Sequence, residues 1–374
     1  MTQVLHPVQE RITALDVLRG FALFGVLLVN MADFSSSALG TDALVMRGSP
    51  LDQVLNAALI FFAVTKFYLL FSFLFGVGFA VQMRRAASHG RAFAGIYLRR
   101  LIVLLGIGFA HAILLWSGDI LRLYAVAGLM LLLVRHLPDR FLIGLALVIA
   151  AASLILFGVF GEGDPVHTSL SSDTIALYTS GSYSDLVAFR ATQQHAVFNL
   201  HIPMVPVMFL FGLVVGRNGW LDQKERYAPF LRRWWKWALL VGLIGSALLV
   251  AGFSGENPWL LSVGVSAGAP ALSFVYASAV LLHAERLRWL APVGQMALSN
   301  YLTHSLICTT LFYGYGFGFY DQLSTMWTTL LVVSIFAAQI AWSAWWMQHY
   351  RFGLAEWLWR TLSYWQIQPM RRPP

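Results

Sequence analysis

Apolar residues occur in long blocks along this chain, and short polar segments separate the blocks. Most blocks approach the roughly 20 apolar residues that a helix needs to cross the hydrocarbon core of a bilayer. The blocks cover residues 17–34, 57–81, 101–117, 120–134, 141–160, 199–216, 237–254, 263–284, 293–313 and 325–346. This pattern predicts an all-α, polytopic transmembrane helical bundle of about ten spans.

The segments between the blocks alternate in charge. One set is basic and includes Arg84, Arg99, Arg135, Arg217 and Arg351. The other set is acidic and includes Asp42, Asp119, Glu162, Asp185 and Asp321. Because cytoplasmic loops carry an excess of Lys and Arg, the basic set predicts the cytoplasmic side, with both termini there. The net charge of +8 then reflects topology and anionic lipid headgroups, so we expect no nucleic-acid partner.

Composition supports a membrane protein without a separate soluble domain. Of the 374 residues, 58% are apolar and 11% are charged, and the mean hydropathy is +0.68. These values exclude a solvated globular chain. We expect a single transmembrane bundle over 1–346, with a long outer loop at 161–198, and a cytoplasmic interfacial tail at 347–374.

Polar side chains inside the apolar blocks indicate a functional site, because such groups are costly at membrane depth and usually face a bundle interior or a wet cavity. The first block contains Arg19, Asn30 and Asp33. At about 100° per residue, Arg19 and Asn30 share one helix face. Asp16, three residues before Arg19, is placed to pair with it. The alternative is that these groups are headgroup anchors and hydrogen bonds between helices.

His111 is the candidate general base. A tight hairpin at Ser117-Gly118-Asp119 brings His111, Asp119 and Arg122 towards each other in the outer half of the bundle. Imidazole removes protons efficiently near neutral pH, and a carboxylate can orient it and stabilise its cation. The alternative is a histidine that only bridges two helices by hydrogen bonding.

Two further blocks contain buried polar groups. Lys66 lies too deep to reach the headgroups easily, so we expect it to meet a carboxylate such as Asp33, a carbonyl or an anionic ligand. Asn300 and His304 are four residues apart on one helix face, where they either line the same cavity or bond across helices.

Several motifs are missing from the sequence. His195 and His201 have no HExxH motif or Cys/His cluster beside them, so no metal is expected. The phosphate-binding loop of ATP-driven transporters and the GxSxG elbow of serine hydrolases are also missing. The single cysteine, Cys308, leaves no disulfide framework.

The motif Leu-Asp-Val-Leu-Arg-Gly at 15–20, followed by Leu-Leu-Val-Asn at 27–30, resembles the opening of the YeiB-like bacterial membrane proteins. Similar matches occur at 66–67, 74–78, 99–101, 116–121, 296–302, 307–313 and 353–360. The C-terminal half of that family is known as domain of unknown function 418. Its LDxxRG start is shared with transmembrane acyltransferases, including heparan-α-glucosaminide N-acetyltransferases and O-acyltransferases of bacterial surface sugars.

This resemblance implies an enzyme of the bacterial inner membrane that transfers an acyl group from cytoplasmic acyl-CoA to an acceptor reached from the other side. The heparan enzymes carry a histidine in the first outer loop, and this chain has none there. We therefore assign the base to His111, with Asp119 orienting it and Asn30 or Asn300 donating to the oxyanion. The expected acyl-CoA site consists of Asp16, Arg19, Lys66, Arg99 and Arg100. The expected acceptor site consists of Asp33, Arg122, Asn300 and His304.

Two other classes of function stay open on the sequence. In a secondary transporter or exporter, Asp33, Lys66, His111 and Asp119 would form a proton or substrate relay. In a structural protein, the same groups would only hold helices together. The expected partners of the enzyme are membrane lipids, acyl-CoA and an acceptor that is a sugar, a lipid headgroup or a small metabolite. The sequence does not decide whether the chain forms a homo-oligomer.

Overall fold

A computed structural model describes residues 13–37, 48–88, 93–160, 171–192, 203–255 and 257–372. The described chain is helical, apart from turns and one isolated bridge between Tyr350 and Arg371. Its helices are α1 (Thr13–Ser35), α2 (Pro50–Phe62), α3 (Lys66–Ser88), α4 (Phe93–Leu114), α5 (Leu121–Val134), α6 (Asp139–Phe160), α7 (Ser172–Ser180), α8 (Tyr183–Thr192), α9 (Met204–Arg217), α10 (Lys224–Gly255), α11 (Pro258–Val263), α12 (Ala269–Leu282), α13 (Ala291–Gln295), α14 (Ala297–Phe312), α15 (Thr325–His349) and α16 (Leu354–Tyr364). A π-helical turn, Gly264–Gly268, joins α11 to α12.

The membrane-spanning, all-helical character predicted from the apolar blocks is confirmed. Within the described residues, seven segments are long and apolar enough to cross a bilayer. They are Thr13–Ser35, Pro50–Ser88, Phe93–Leu114, Asp139–Phe160, Lys224–Gly255, Pro258–Leu282 and Thr325–His349. Helices α5 and α9 are shorter apolar helices. The outward faces are apolar, as on α6, where Leu147, Val148 and Ile155 are exposed.

Three of the basic segments lie together at one end of the bundle. Arg84, at the end of α3, is paired with Asp222 in the α9–α10 turn at 2.6 Å. Arg217 is paired with Asp139, which joins the end of α9 to the start of α6. Surface pairs of this kind contribute little stability singly. They do show that three of the basic segments, those at 84–88, 135–140 and 217–226, lie next to each other.

The second apolar block is two helices, α2 and α3, separated by a break at residues 63–65. Thr65 has a φ of 73°, a left-handed conformation that is strained for a β-branched residue. Carbonyl groups near the break are bound by side chains of α12: Tyr276 donates to the Phe62 carbonyl at 2.7 Å, and Ser273 donates to the Lys66 carbonyl at 2.8 Å. Such partners allow a helix to be interrupted at membrane depth.

The outer segment at 161–198 contains more helix than its sequence indicates. Helical potential is visible only near its end, where α8 lies, but α7 also forms at Ser172–Ser180. Ser171 caps α7 by accepting a hydrogen bond from the Thr174 backbone N–H at 3.2 Å, which stabilises a short helix. Residues 161–170 and 193–198 of this predicted loop lie outside the described residues.

Close helix packing in the core depends on small residues. Helices α3 and α9 cross where Gly76 faces Gly212, and a methyl group at either position would overlap backbone of the facing helix. Small residues are the usual means of bringing helices together in a membrane, where hydrophobic burial gives little drive for association.

Candidate functional site

The site is built around His111, near the outer end of α4. Its side chain is buried, with Nδ1 2.8 Å from Oδ2 of Asp119 and Nε2 2.7 Å from Oγ of Ser305. An ionised carboxylate can only accept hydrogen bonds, so it assigns the hydrogen of a neutral imidazole to Nδ1 and leaves the Nε2 lone pair towards Ser305. The imidazole is therefore oriented as a proton acceptor towards α14.

The turn after α4 holds Asp119 in place. Helix α4 ends at Leu114, and α5 begins at Leu121. Oδ1 of Asp119 accepts from the Arg122 backbone N–H at 2.9 Å and from Arg122 Nε at 3.4 Å. One carboxylate thus accepts a backbone N–H of the first turn of α5 with one oxygen and orients the imidazole with the other.

A close approach between α4 and this turn makes the contact geometrically feasible. A methyl group on Gly108 would crowd the Arg122 side chain and Asp119 Oδ1. Glycine at 108 therefore lets the Asp119 carboxylate and the start of α5 at Arg122 lie directly against α4, one turn before His111.

Aromatic rings enclose the imidazole. The Tyr301 ring centroid is 5.1 Å from that of His111, and the Trp116 ring is 6.4 Å away. Trp116 also packs on Phe34 at 4.3 Å, which places the outer end of α1 beside the turn. Aromatic side chains thus cover the imidazole on these sides.

Ser305 was not among the residues singled out from the sequence. On α14 the sequence pointed to Asn300 and His304, but His304 Nε2 is 2.6 Å from Gln339 Oε1, and Asn300 Nδ2 is 3.0 Å from Ser343 Oγ. Both groups bond across to α15, which was one of the two interpretations open for them. A usable signal was the i, i+4 pair of Tyr301 and Ser305, which marks a second polar face on the same helix.

A second residue that the sequence did not bring out lies at the outer end of α4, the helix that carries His111. Arg190 on α8 is fully buried, donates from Nη1 to the Leu114 carbonyl at 3.3 Å, and lies 5.5 Å from the Tyr313 ring. The Gly314 N–H donates to the Tyr178 carbonyl at 2.9 Å. Helices α7 and α8 therefore cover the outer ends of both helices that carry His111 and Ser305. The sequence did contain one indication of this role, because Arg190 is a basic residue within an acidic outer segment.

The predicted residues of the first helix separate into two regions. Arg19 Nη1 donates to Asp16 Oδ1 at 2.7 Å, so these two are paired as expected. Asn30 is half-buried, and within the described ranges no hydrogen bond joins it to His111. Asp33 is exposed and lies close enough to Tyr178 and Tyr313 to interact with them electrostatically.

The predicted acyl-CoA residues do not form one open cluster. Arg100 is buried under the tail helix, with its Cζ 4.1 Å from the Trp359 ring. Arg99 is half-buried, and its Nε donates to the Gly95 carbonyl at 3.3 Å. Lys66 is fully buried, and its Nζ donates to the Ile60 carbonyl at 2.9 Å. Of the three partners open to Lys66, the structure selects the carbonyl.

The described residues contain no cluster of three or more His, Cys, Asp or Glu side chains able to hold a metal ion. His195 and His201 lie outside the described residues. The groups that meet at the site are an imidazole, a carboxylate and a hydroxyl, with Arg122 beside them.

Comparison with known proteins gives full-length relatives. Residues 215–366 match the family model "Protein of unknown function (DUF418)". The chain is 35% identical to the uncharacterised protein YxaH of Bacillus subtilis (strain 168), covering 97% of this chain and 96% of that protein. It is 30% identical to the uncharacterised protein YeiB of Escherichia coli (strain K12), covering 95% and 96%. Identity at this level over nearly the whole length shows that the chain belongs to the YeiB-like family of membrane proteins.

Proposed function

We propose that this protein is an acyltransferase of the bacterial cytoplasmic membrane, with about ten spans and both termini in the cytoplasm. It transfers an acyl group from acyl-CoA to a hydroxyl or amine acceptor. The observation that carries the proposal is the buried contact between His111 and Asp119, which supplies an oriented base in a site shielded from water.

The proposed chemistry follows from the two ends of the imidazole. Nε2 of His111 takes the proton of the acceptor as its oxygen or nitrogen attacks the thioester carbonyl, and then returns that proton to the leaving thiolate. Asp119 stabilises the imidazolium, and the neighbouring Arg122 holds the carboxylate in position. Asn30 is the proposed donor to the tetrahedral oxyanion, since Asn300 already bonds to α15.

Acyl-CoA is proposed to enter from the basic end of the bundle. Arg19, held by Asp16, keeps 28% of its side chain exposed there, and Arg99 is partly exposed. Both would bind phosphate groups. Arg100 lies eleven residues before His111 on α4, about 16 Å along the axis. That rise is comparable to an extended pantetheine arm. The covered Arg100 would contribute positive charge without touching the phosphates.

The acceptor is proposed to approach from the opposite end, past Asp33. Asp33 is exposed and neighbours Tyr178 and Tyr313, and carboxylates and tyrosines suit hydroxyl-rich or amine-bearing molecules. A sugar, a lipid headgroup or a small metabolite would fit this description. The helices α7 and α8 would then act as the cover of the acceptor side.

The test is release of free thiol from acyl-CoA by the purified protein in nanodiscs, across short- and long-chain donors and a panel of acceptors. We expect release by the wild type and a loss of at least about 100-fold in His111→Ala. The matched control is His283→Ala, because His283 is exposed and bonds only within its own helix turn. Unaltered release in a folded His111→Ala protein would refute the proposal.

One observation favours a transporter as a second candidate. The break between α2 and α3, with buried Lys66 beside it, resembles the interrupted helices at which transporters bind substrates. A transporter would show substrate flux in liposomes without any acyl donor. Flux combined with no thiol release would favour this candidate over the enzyme.

A further inference from the structure

Three side chains from separate segments form a continuous hydrogen-bonded line at the site. It runs from Asp119 Oδ2 to His111 Nδ1 at 2.8 Å, and from His111 Nε2 to Ser305 Oγ at 2.7 Å. A carboxylate, an imidazole and a hydroxyl in this order are the arrangement that activates serine nucleophiles, and it recurs on unrelated folds.

The hydroxyl of Ser305 bonds to a side chain on a distant helix, whereas several hydroxyls on α14 and α15 bond to their own helix. Ser and Thr side chains in membrane helices commonly bond the carbonyl four residues earlier. Thr303 and Thr310 on α14 do so at 2.7 Å, and Ser334 on α15 does so at 2.8 Å. Ser305 instead reaches 194 positions back along the sequence to His111. Its rotamer is therefore set by the imidazole and not by its own helix.

We propose that Ser305 is the covalent nucleophile, so that acyl transfer proceeds through an acyl-enzyme. This inference rests on the proposed acyltransferase function and adds to it the order of the chemical steps. In this order of steps, His111 deprotonates Ser305 first and deprotonates the acceptor only in the second step.

The two steps balance as follows. In the first, Ser305 Oγ attacks the thioester carbonyl, its proton passes to His111 Nε2, the C–S bond breaks, and the proton moves to the leaving thiolate. In the second, the acceptor oxygen or nitrogen attacks the Ser305 ester, its proton passes to His111, and the C–O bond breaks as Oγ regains that proton. Free CoA and the acylated acceptor are the products.

The burial of Ser305 and His111 would protect an acyl-enzyme intermediate from hydrolysis. Ser305 is 1% exposed and His111 is 2% exposed, so bulk water has little access to an ester formed there. Exclusion of water prevents hydrolysis of reactive intermediates. An ester shielded from water would persist until an acceptor arrives from the other side of the membrane.

The experiment is to incubate the full-length protein in nanodiscs with acyl-CoA and no acceptor, and to measure its intact mass and map the adduct. We expect a mass gain of one acyl group on Ser305, resistant to neutral hydroxylamine. The gain should disappear in Ser305→Ala and His111→Ala and persist in Ser334→Ala. It should also persist in Cys308→Ala, which excludes a thioester on the nearby cysteine.

Ser305→Cys provides a positive variant that does not depend on loss of activity. A thiol at this position would be acylated as a thioester, so its adduct should become sensitive to hydroxylamine. Retention of thiol release and acyl transfer by a folded Ser305→Ala protein would overturn the nucleophile and leave the proposed function intact. An adduct mapped to another residue would also overturn it. Absence of thiol release from the wild type with every donor would overturn both.

Discussion

The carboxylate of Asp119 lies 2.8 Å from the imidazole of His111, although the end of one helix and the turn into the next separate the two residues. Asp119 also accepts the backbone N–H of Arg122 at 2.9 Å. One side chain therefore orients the imidazole and also accepts a backbone N–H in the first turn of α5, and substitutions can separate these two roles.

Asp119→Asn should keep the hydrogen bond from the Arg122 N–H and lose the orientation of the imidazole, because asparagine has a single acceptor oxygen and would then present its NH2 group to Nδ1. We expect a fall in thiol release of about 100- to 10,000-fold with little change in the melting temperature. Asp119→Ala should lose both activity and about 1 kcal/mol of stability. Equal melting temperatures for the two variants would show that the hydrogen bond from the Arg122 N–H does not stabilise the protein.

Gly108→Ala should push the Asp119–Arg122 pair away from α4, because the new methyl group overlaps the Arg122 side chain. Overpacking of this kind costs about 1–3 kcal/mol, and we expect the thermal midpoint in detergent to fall accordingly. The matched control is Gly106→Ala, two residues earlier, where a methyl group meets no atom within 4 Å. Equal midpoints in the two variants would show that the close approach is not needed.

Trp359→Ala should release the tail helix from the end of α4. The indole N–H donates to the Arg100 carbonyl at 2.8 Å, and the Arg100 guanidinium stacks on the ring at 4.1 Å. Loss of both contacts costs on the order of 2 kcal/mol, so trypsin should cut at Arg360 faster than in the wild type. Trp289→Ala, which removes an exposed indole, should leave the cleavage rate unchanged.

The fourth prediction concerns Glu356, whose carboxylate docks the tail helix on the start of α14. It accepts from the Leu298 N–H at 2.6 Å and from Ser299 Oγ at 2.5 Å. Burial raises the pKa of Glu356 above its ordinary value of 4.5, and the hydrogen bonds from Ser299 and Leu298 oppose this only in part.

Because the folded pKa is raised, the folded protein holds a proton that the unfolded chain releases. The stabilisation is complete below about pH 4.5 and is lost as the pH rises through the raised pKa. Glu356→Gln mimics the protonated form and should remove this dependence from the melting temperature measured against pH. A parallel pH dependence in the variant and the wild type would show that Glu356 is not its source.

Local spacing made part of the site predictable. Asp16 and Arg19 pair because three residues bring side chains together on one helix. His111, Asp119 and Arg122 meet because only a short turn joins their helices. Relationships of this kind depend on a helix period and a turn length, and both can be read from the chain.

Relationships between distant helices were not predictable in the same way. The sequence drew attention to His304 on α14, but Ser305, the next residue and about 100° further round the helix, faces His111. The covering of Arg100 by Trp359 likewise joins positions 259 apart in the sequence.

The sequence by itself determined that this is a helical membrane protein, where its apolar helices run, and which loops share a charge. Only the tertiary structure decided which face of each helix points inward, where the second block breaks, and that Arg190 and Ser305 lie near the base. The physical reason is that lipid is as apolar as the protein core. Hydrophobicity therefore fixes the length of a membrane helix, while its rotation is set by packing and hydrogen bonds with helices far away in the chain.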